Sequence, residues 1–118
     1  MAAGTAKVYN FTLKPSERKT VRQSLTANGD VSTWVQCSGD IAIQLVGAAT
    51  AVTAVVERSP VHPSEGAIAG PVSTTPLTGN PSTGMPVASF FEPGVAWWRV
   101  RLTALTGDAL TVAVSAVG

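Results

Sequence analysis

Hydrophobic and polar residues alternate along most of this chain, and a period of two is the mark of strands half-buried in a sheet. In Lys7–Leu13, Tyr9, Phe11 and Leu13 share one face while Asn10 and Thr12 take the other. Lys19–Thr26 sets Val21, Gln23 and Leu25 opposite Arg22, Ser24 and Thr26. Asn28-Gly29-Asp30 then reads as a tight turn, because Asn and Gly accept the positive φ that hairpin turns need. Val31–Cys37 alternates Val31, Thr33, Val35 and Cys37 against Ser32, Trp34 and Gln36. Ser38-Gly39-Asp40 is the next turn, after which Ile41, Ile43 and Leu45 line one face of a further strand. The crowding of Ile, Val and Thr over Ile41–Val56 disfavours a helix. A hairpin is expected there, Ile41–Val46 with Ala51–Arg58, turning at Gly47-Ala48-Ala49-Thr50.

Between Ser59 and Gly94 the alternation is lost, and seven of the eight prolines fall in this segment. Proline lacks the ladder donor, so few central strands can run here, and only Val87–Phe91 looks able to pair. The segment is expected to be a long Pro/Gly-rich loop, and loops of that length tend to carry function. Alternation returns in Val95–Thr103, where Ala96, Trp98, Val100 and Leu102 oppose Val95, Trp97, Arg99 and Arg101. Thr106-Gly107-Asp108 reads as a turn, followed by Ala109–Val117 with Leu110, Val112, Val114 and Ala116 on one face. Seven or eight short strands at this spacing predict one all-β domain over residues 1–118. The expected architecture is an antiparallel β-sandwich, jelly-roll-like, with 59–94 as a loop excursion.

Composition adds a constraint on how such a domain works. Charged residues make up 13 % of the 118 residues, against about 25 % in typical soluble domains, and the formal net charge is +1. A surface so poor in charge favours association, so an oligomer or an assembly component is expected. The charge is also uneven. Lys7, Lys14, Arg18, Lys19 and Arg22 against Glu17 give residues 1–27 a net +4, and the remainder carries −3. That polarity suits docking of the N-terminal part on an acidic surface. It is too small to argue for nucleic acid as a partner.

The parts needed for catalysis are missing from the pattern. His62 is the only histidine, in a His-Pro step of the long loop, and no Gly-x-Ser-x-Gly element accompanies it. Zinc requires three or four nitrogen or sulfur ligands, and the single Cys37 with His62 cannot supply them. Cys37 falls in a strand and is expected to be a buried, inert thiol. The carboxylates Asp30, Asp40, Glu57, Glu65, Glu92 and Asp108 are spread singly, with no ligand-dense calcium loop and no phosphate-cradling glycine motif. No enzyme, metal or cofactor is therefore expected. Ile41–Val56 is too short and too interrupted to span a membrane, and the N-terminal residues lack the apolar stretch of a secretory signal.

Binding is better supplied. Trp97 and Trp98 are adjacent on one strand and must point to opposite faces. Trp98 runs with the apolar set and belongs in the core. Trp97 runs with Arg99 and Arg101, and Trp and Arg are the residue types that dominate binding hot spots. The competing arrangement is a cation–π contact of Trp97 with an arginine inside the monomer. The expected partner-binding residues are thus Lys7, Lys14, Arg18, Lys19, Arg22, Trp97, Arg99 and Arg101, with the place of Trp34 left open.

The segments Ser38-Gly39-Asp40-Ile41-Ala42-Ile43-Gln44-Leu45 and Val52-Thr53-Ala54-Val55-Val56-Glu57-Arg58-Ser59 resemble a recurring pattern in small structural proteins of tailed bacteriophages. The closing pair Trp98-Arg99-Val100-Arg101-Leu102-Thr103 and Leu110-Thr111-Val112-Ala113-Val114-Ser115 is similar to the strand pair that ends such modules. The resemblance lies in strand-and-turn texture, and the 59–94 loop departs from it. It implies a virion part: a head decoration or cement protein, or a piece of head fibre, neck or tail. Small β-sandwich cement proteins of this kind are typically trimers that clamp neighbouring capsid subunits, so the partner the resemblance implies is the major capsid protein or another virion protein. A carbohydrate-binding adhesin, with Trp97 and Trp34 as stacking platforms, is the alternative of a different class.

Overall fold

The computed structural model describes residues 18–73 and 75–117. The strand expected over Lys7–Leu13 lies outside the described residues, as do Lys7 and Lys14. The described chain is all-β and antiparallel, as the alternation requires. Its strands are β1 (Arg18–Leu25), β2 (Val35–Cys37), β3 (Asp40–Ser59), β4 (Gly70–Pro71), β5 (Leu77–Gly79), β6 (Ala88–Phe91) and β7 (Ala96–Val117). One 3-10 turn, Pro63–Glu65, interrupts the segment between β3 and β4. No helix among the described residues is long and apolar enough to cross a membrane.

Two strands form the frame. β3 has 20 residues and β7 has 22, and they pair with each other along almost their whole length. The hairpin expected within Ile41–Arg58 does not form, and the turn expected at Thr106-Gly107-Asp108 lies inside β7. Both segments do carry turn-like backbone. Gly47 and Gly107 have φ of 130° and 91°, and Ala49 pairs with Gly107 amid a cluster of register shifts. The two irregularities face each other, so the strands bend together and both ladders continue beyond the bend. A bulge of this kind turns a strand without ending it.

The bend folds the sheet over. Cys37 of β2 pairs with Ala96 at the start of β7, while the N–H of Ser38 donates to the carbonyl of Val117 at its end, at 2.8 Å. A straight strand of that length would hold its ends roughly 70 Å apart. Here both ends lie beside consecutive residues. One half of the sheet, β1 with the end of β7 and the start of β3, is completed by β6. The other half joins β2 and the start of β7 to the end of β3, with β5 and β4 on the outer edge.

Both halves contribute to one core cluster. Ile41, Ile43 and Leu45 point inward before the bend, and Val52, Ala54 and Val56 after it. The bulge therefore switches β3 from odd to even positions inward, the change of face that a one-residue shift must cause. In β7 the even positions Ala96, Trp98, Val100, Leu102, Leu110, Val112, Val114 and Ala116 are all buried. Cys37 is fully buried as expected, and its thiol donates to the Gly39 carbonyl at 3.2 Å.

The 59–94 excursion is more ordered than its prolines led one to expect. β6 forms where pairing was expected, but β4 and β5 also add short ladders to the free edge of β3. Pro71 takes part because an edge strand needs no donor on its outer side. The loop is thus laid along one edge of the fold.

Candidate functional site

On the half of β7 that begins at Ala96, alternate side chains divide as expected. Trp98, Val100 and Leu102 enter the core, while Trp97, Arg99 and Arg101 take the outer face, each half-buried. The cross-strand register sets what surrounds them. Arg99 lies opposite Glu57 and Trp97 opposite Ser59 on β3, and Gln36 of β2 flanks Trp97 on the other side.

Glu57 is the centre of this face. Its Oε1 accepts from Arg99 Nε at 2.9 Å and its Oε2 from Arg101 Nε at 2.8 Å. The carboxylate side chain is 8 % exposed, against 23 % for Arg99 and 39 % for Arg101, so it lies beneath the two cations. Burial pushes its pKa up. The hydrogen bonds from Arg101 and Arg99, with their charges, more than offset that effect and hold the carboxyl below its ordinary range.

The cation–π contact weighed for Trp97 falls on Trp34 instead. Arg99 stacks over Trp34, 4.4 Å from the ring centroid, and not over Trp97. Trp97 instead meets the His62 ring edge-on, at 4.9 Å between centroids and 68° between planes. His62 is fixed by its own loop, with Nδ1 accepting from the Ser64 N–H at 3.0 Å. Ser59, fully buried, anchors the same loop, its Oγ accepting from Val61 and Ile68 N–H groups. Trp34, Trp97, His62, Arg99, Arg101 and Glu57 therefore form one built patch.

A second carboxylate works on the inner side. Glu92 is 1 % exposed and accepts from Arg58 Nε and Nη2, both at 2.8 Å, from Trp98 Nε1 at 3.0 Å and from the Gly94 N–H at 3.1 Å. The Arg58 hydrogen bonds are the main reason its pKa is lowered, against the opposing effect of burial. Asp40 at the start of β3 pairs with Phe91, next to Glu92, while Arg58 lies near the end of β3. Glu92 therefore ties the two ends of the bent strand together.

The basic N-terminal strand pairs with the closing part of β7, Arg18, Lys19 and Arg22 standing opposite Val117, Ala116 and Ala113, whereas Trp97 stands at the start of β7 between β2 and β3. Lys19 and Arg22 are exposed, and their odd and even positions send them to opposite faces of β1. Among the described residues no three His, Cys, Asp or Glu side chains are gathered as metal ligands. A concavity of about 220 Å³ is lined by Ile43, Leu45, Leu77, Met85 and Val87 between β5 and β6. Large apolar side chains are exposed at Ile68 (69 %), Phe91 (65 %), Val87 (52 %) and Val95 (51 %).

Glu57, Glu92, Arg58 and His62 were not among the binding residues expected from sequence, and Trp34 entered only as a sugar-stacking platform in the carbohydrate alternative. For Glu57 a signal existed, since Arg99 and Arg101 on one half-buried face call for a carboxylate opposite. For Glu92, in a Pro-Gly stretch after β6, alternation offered none. No protein-family model matches this chain, and no curated protein or solved structure matches it either.

Proposed function

We propose that this chain is a structural protein of a tailed bacteriophage virion, a decoration or cement protein that binds the head shell and stabilises it. The observation that carries the assembly reading is how the fold spends its few charges. Arg58, Arg99 and Arg101 each pair with Glu57 or Glu92 within the chain, while Ile68, Phe91, Val87 and Val95 stay exposed. Internal pairing lowers the surface charge further than composition alone, and exposed apolar groups on such a surface favour a covering partner. The choice of a phage head rests on the resemblance of the strand segments to small virion proteins. On this reading the protein is a non-enzymatic homo-oligomer, a trimer, whose partner is the major capsid protein.

The carbohydrate-binding alternative is less well served, because Arg99 already occupies a face of Trp34 on which a sugar ring would stack. Sedimentation equilibrium of the purified chain, followed by its stoichiometry on purified heads, tests the proposal. A trimer present in icosahedral copy number supports it, and heads lacking the chain would sink it.

A further inference from the structure

Arg99 and Arg101 stand two residues apart on β7, so they leave the sheet from the same face. Two guanidinium groups so placed repel one another unless an anion lies between them, and Glu57 supplies it with one oxygen to each Nε. A guanidinium carries N–H donors on three nitrogens. Each of these two spends only its Nε on Glu57, and the terminal nitrogens have no acceptor among the described residues. Trp34 restrains Arg99 from a second side. Because Glu57 is the more buried member, the two cations form the solvent side of the trio. Two cations against one carboxylate leave a local net charge of +1.

A monoanion neutralises that charge, whereas a phosphate dianion reverses it. A carboxylate also has the planar fork that matches a guanidinium edge. We propose that Arg99 and Arg101 are a receptor for an Asp or Glu side chain of a protein partner, with Glu57 as the positioning residue that holds the two cations together. The site rests on the geometry, while the choice of a protein carboxylate rests on the assembly reading above.

The test uses the whole ¹⁵N-labelled chain, with sodium acetate exchanged for sodium chloride at constant ionic strength. Acetate should produce saturable shifts of the Arg99 and Arg101 Nε–H resonances that share one dissociation constant, with Arg22 unmoved. Arg101→Gln should weaken that binding about tenfold, the worth of one charge-assisted hydrogen bond. Glu57→Gln separates positioning from charge. It removes a negative charge, which by itself draws anions more strongly, but it leaves one acceptor oxygen for two guanidinium groups. Weaker acetate binding in Glu57→Gln supports the positioning role. Tighter binding there, or shifts that never saturate and move Arg22 equally, would overturn the proposal. If Glu57→Gln does not fold, the comparison with Arg101→Gln decides alone. No viral particle enters the titration, so its failure leaves the assembly reading standing. Conversely, heads without the chain remove that reading and leave the acetate result intact.

Discussion

Trp98 donates its indole N–H to Glu92 at 3.0 Å, and the same carboxylate accepts from Nε and Nη2 of Arg58. A core tryptophan on β7, an arginine near the end of β3 and a carboxylate just beyond β6 thus meet at one point. Removing the charge of Glu92 should cost more than its single position implies. Glu92→Gln leaves Arg58 without its anion and sets an amide N–H₂ against other donors, for a loss of about 3 kcal/mol. Urea unfolding followed by tryptophan fluorescence checks this, and a loss below about 0.5 kcal/mol would show that Glu92 is not a tie.

The two buried carboxylates predict how stability depends on pH. Both Glu57 and Glu92 titrate in the folded chain below their ordinary value near 4.5. Below that value the unfolded chain binds more protons than the folded one, so stability falls as pH falls. The contribution is complete above about pH 4.5 and is lost progressively as pH drops through the folded values. Urea midpoints measured from pH 7 down to pH 3 should fall steeply in the wild type and less steeply in the Glu57→Gln, Glu92→Gln double variant. Parallel curves for the two proteins would contradict this.

The shared bend predicts an unequal response to adding one methyl group. At Gly66 (φ 84°) a Cβ meets nothing within 4 Å, so Gly66→Ala bears only the left-handed backbone penalty of about 1 kcal/mol. At Gly107 (φ 91°) a Cβ would lie 2.9 Å from Thr50 Oγ1 and 3.1 Å from the Thr50 backbone nitrogen. Gly107→Ala should therefore be clearly worse, by about 1–3 kcal/mol beyond Gly66→Ala. Thr50→Ala in the same chain should recover only part of the loss, because the backbone contact remains. Thermal melts of the three variants test the order.

The adjacent tryptophans should part company on mutation. Trp98 is 2 % exposed, and Trp98→Ala should remove about 3–5 kcal/mol of stability. Trp97 lies on the outer face against His62, so Trp97→Ala should still fold cooperatively while losing oligomer or partner binding. Sedimentation velocity beside urea melts distinguishes the two. A Trp97→Ala chain that unfolds without a folded, unassembled species would place Trp97 in the structural core.

Much of this fold was legible from period-two alternation, because burial on one face acts residue by residue. The inward positions Val21, Leu25, Ile41, Ile43, Leu45, Trp98, Val100, Leu110, Val112 and Val114 follow from it directly. The path of the chain at Gly47 and Gly107 was not legible. Glycine with positive φ signals a special backbone, but a hairpin turn and a shared bulge use the same residues, and only the partner strand decides between them. The candidate site divides in the same way. Trp97, Arg99 and Arg101 could be placed on one face by counting, whereas Glu57 and Trp34 reach them across strands whose register is a long-range property. Glu92 and His62 come from the Pro-rich segment, where no periodicity exists to assign them.

The role proposed for this chain, decoration of a virion head, is open to direct observation. A cryo-EM map of the native particle that contains it tests this most directly. Icosahedrally ordered trimers are expected on the outer shell, with the Arg99 and Arg101 face against an acidic side chain of a capsid subunit. Heads whose outer surface lacks the chain, or copies confined to the neck or tail, would contradict it.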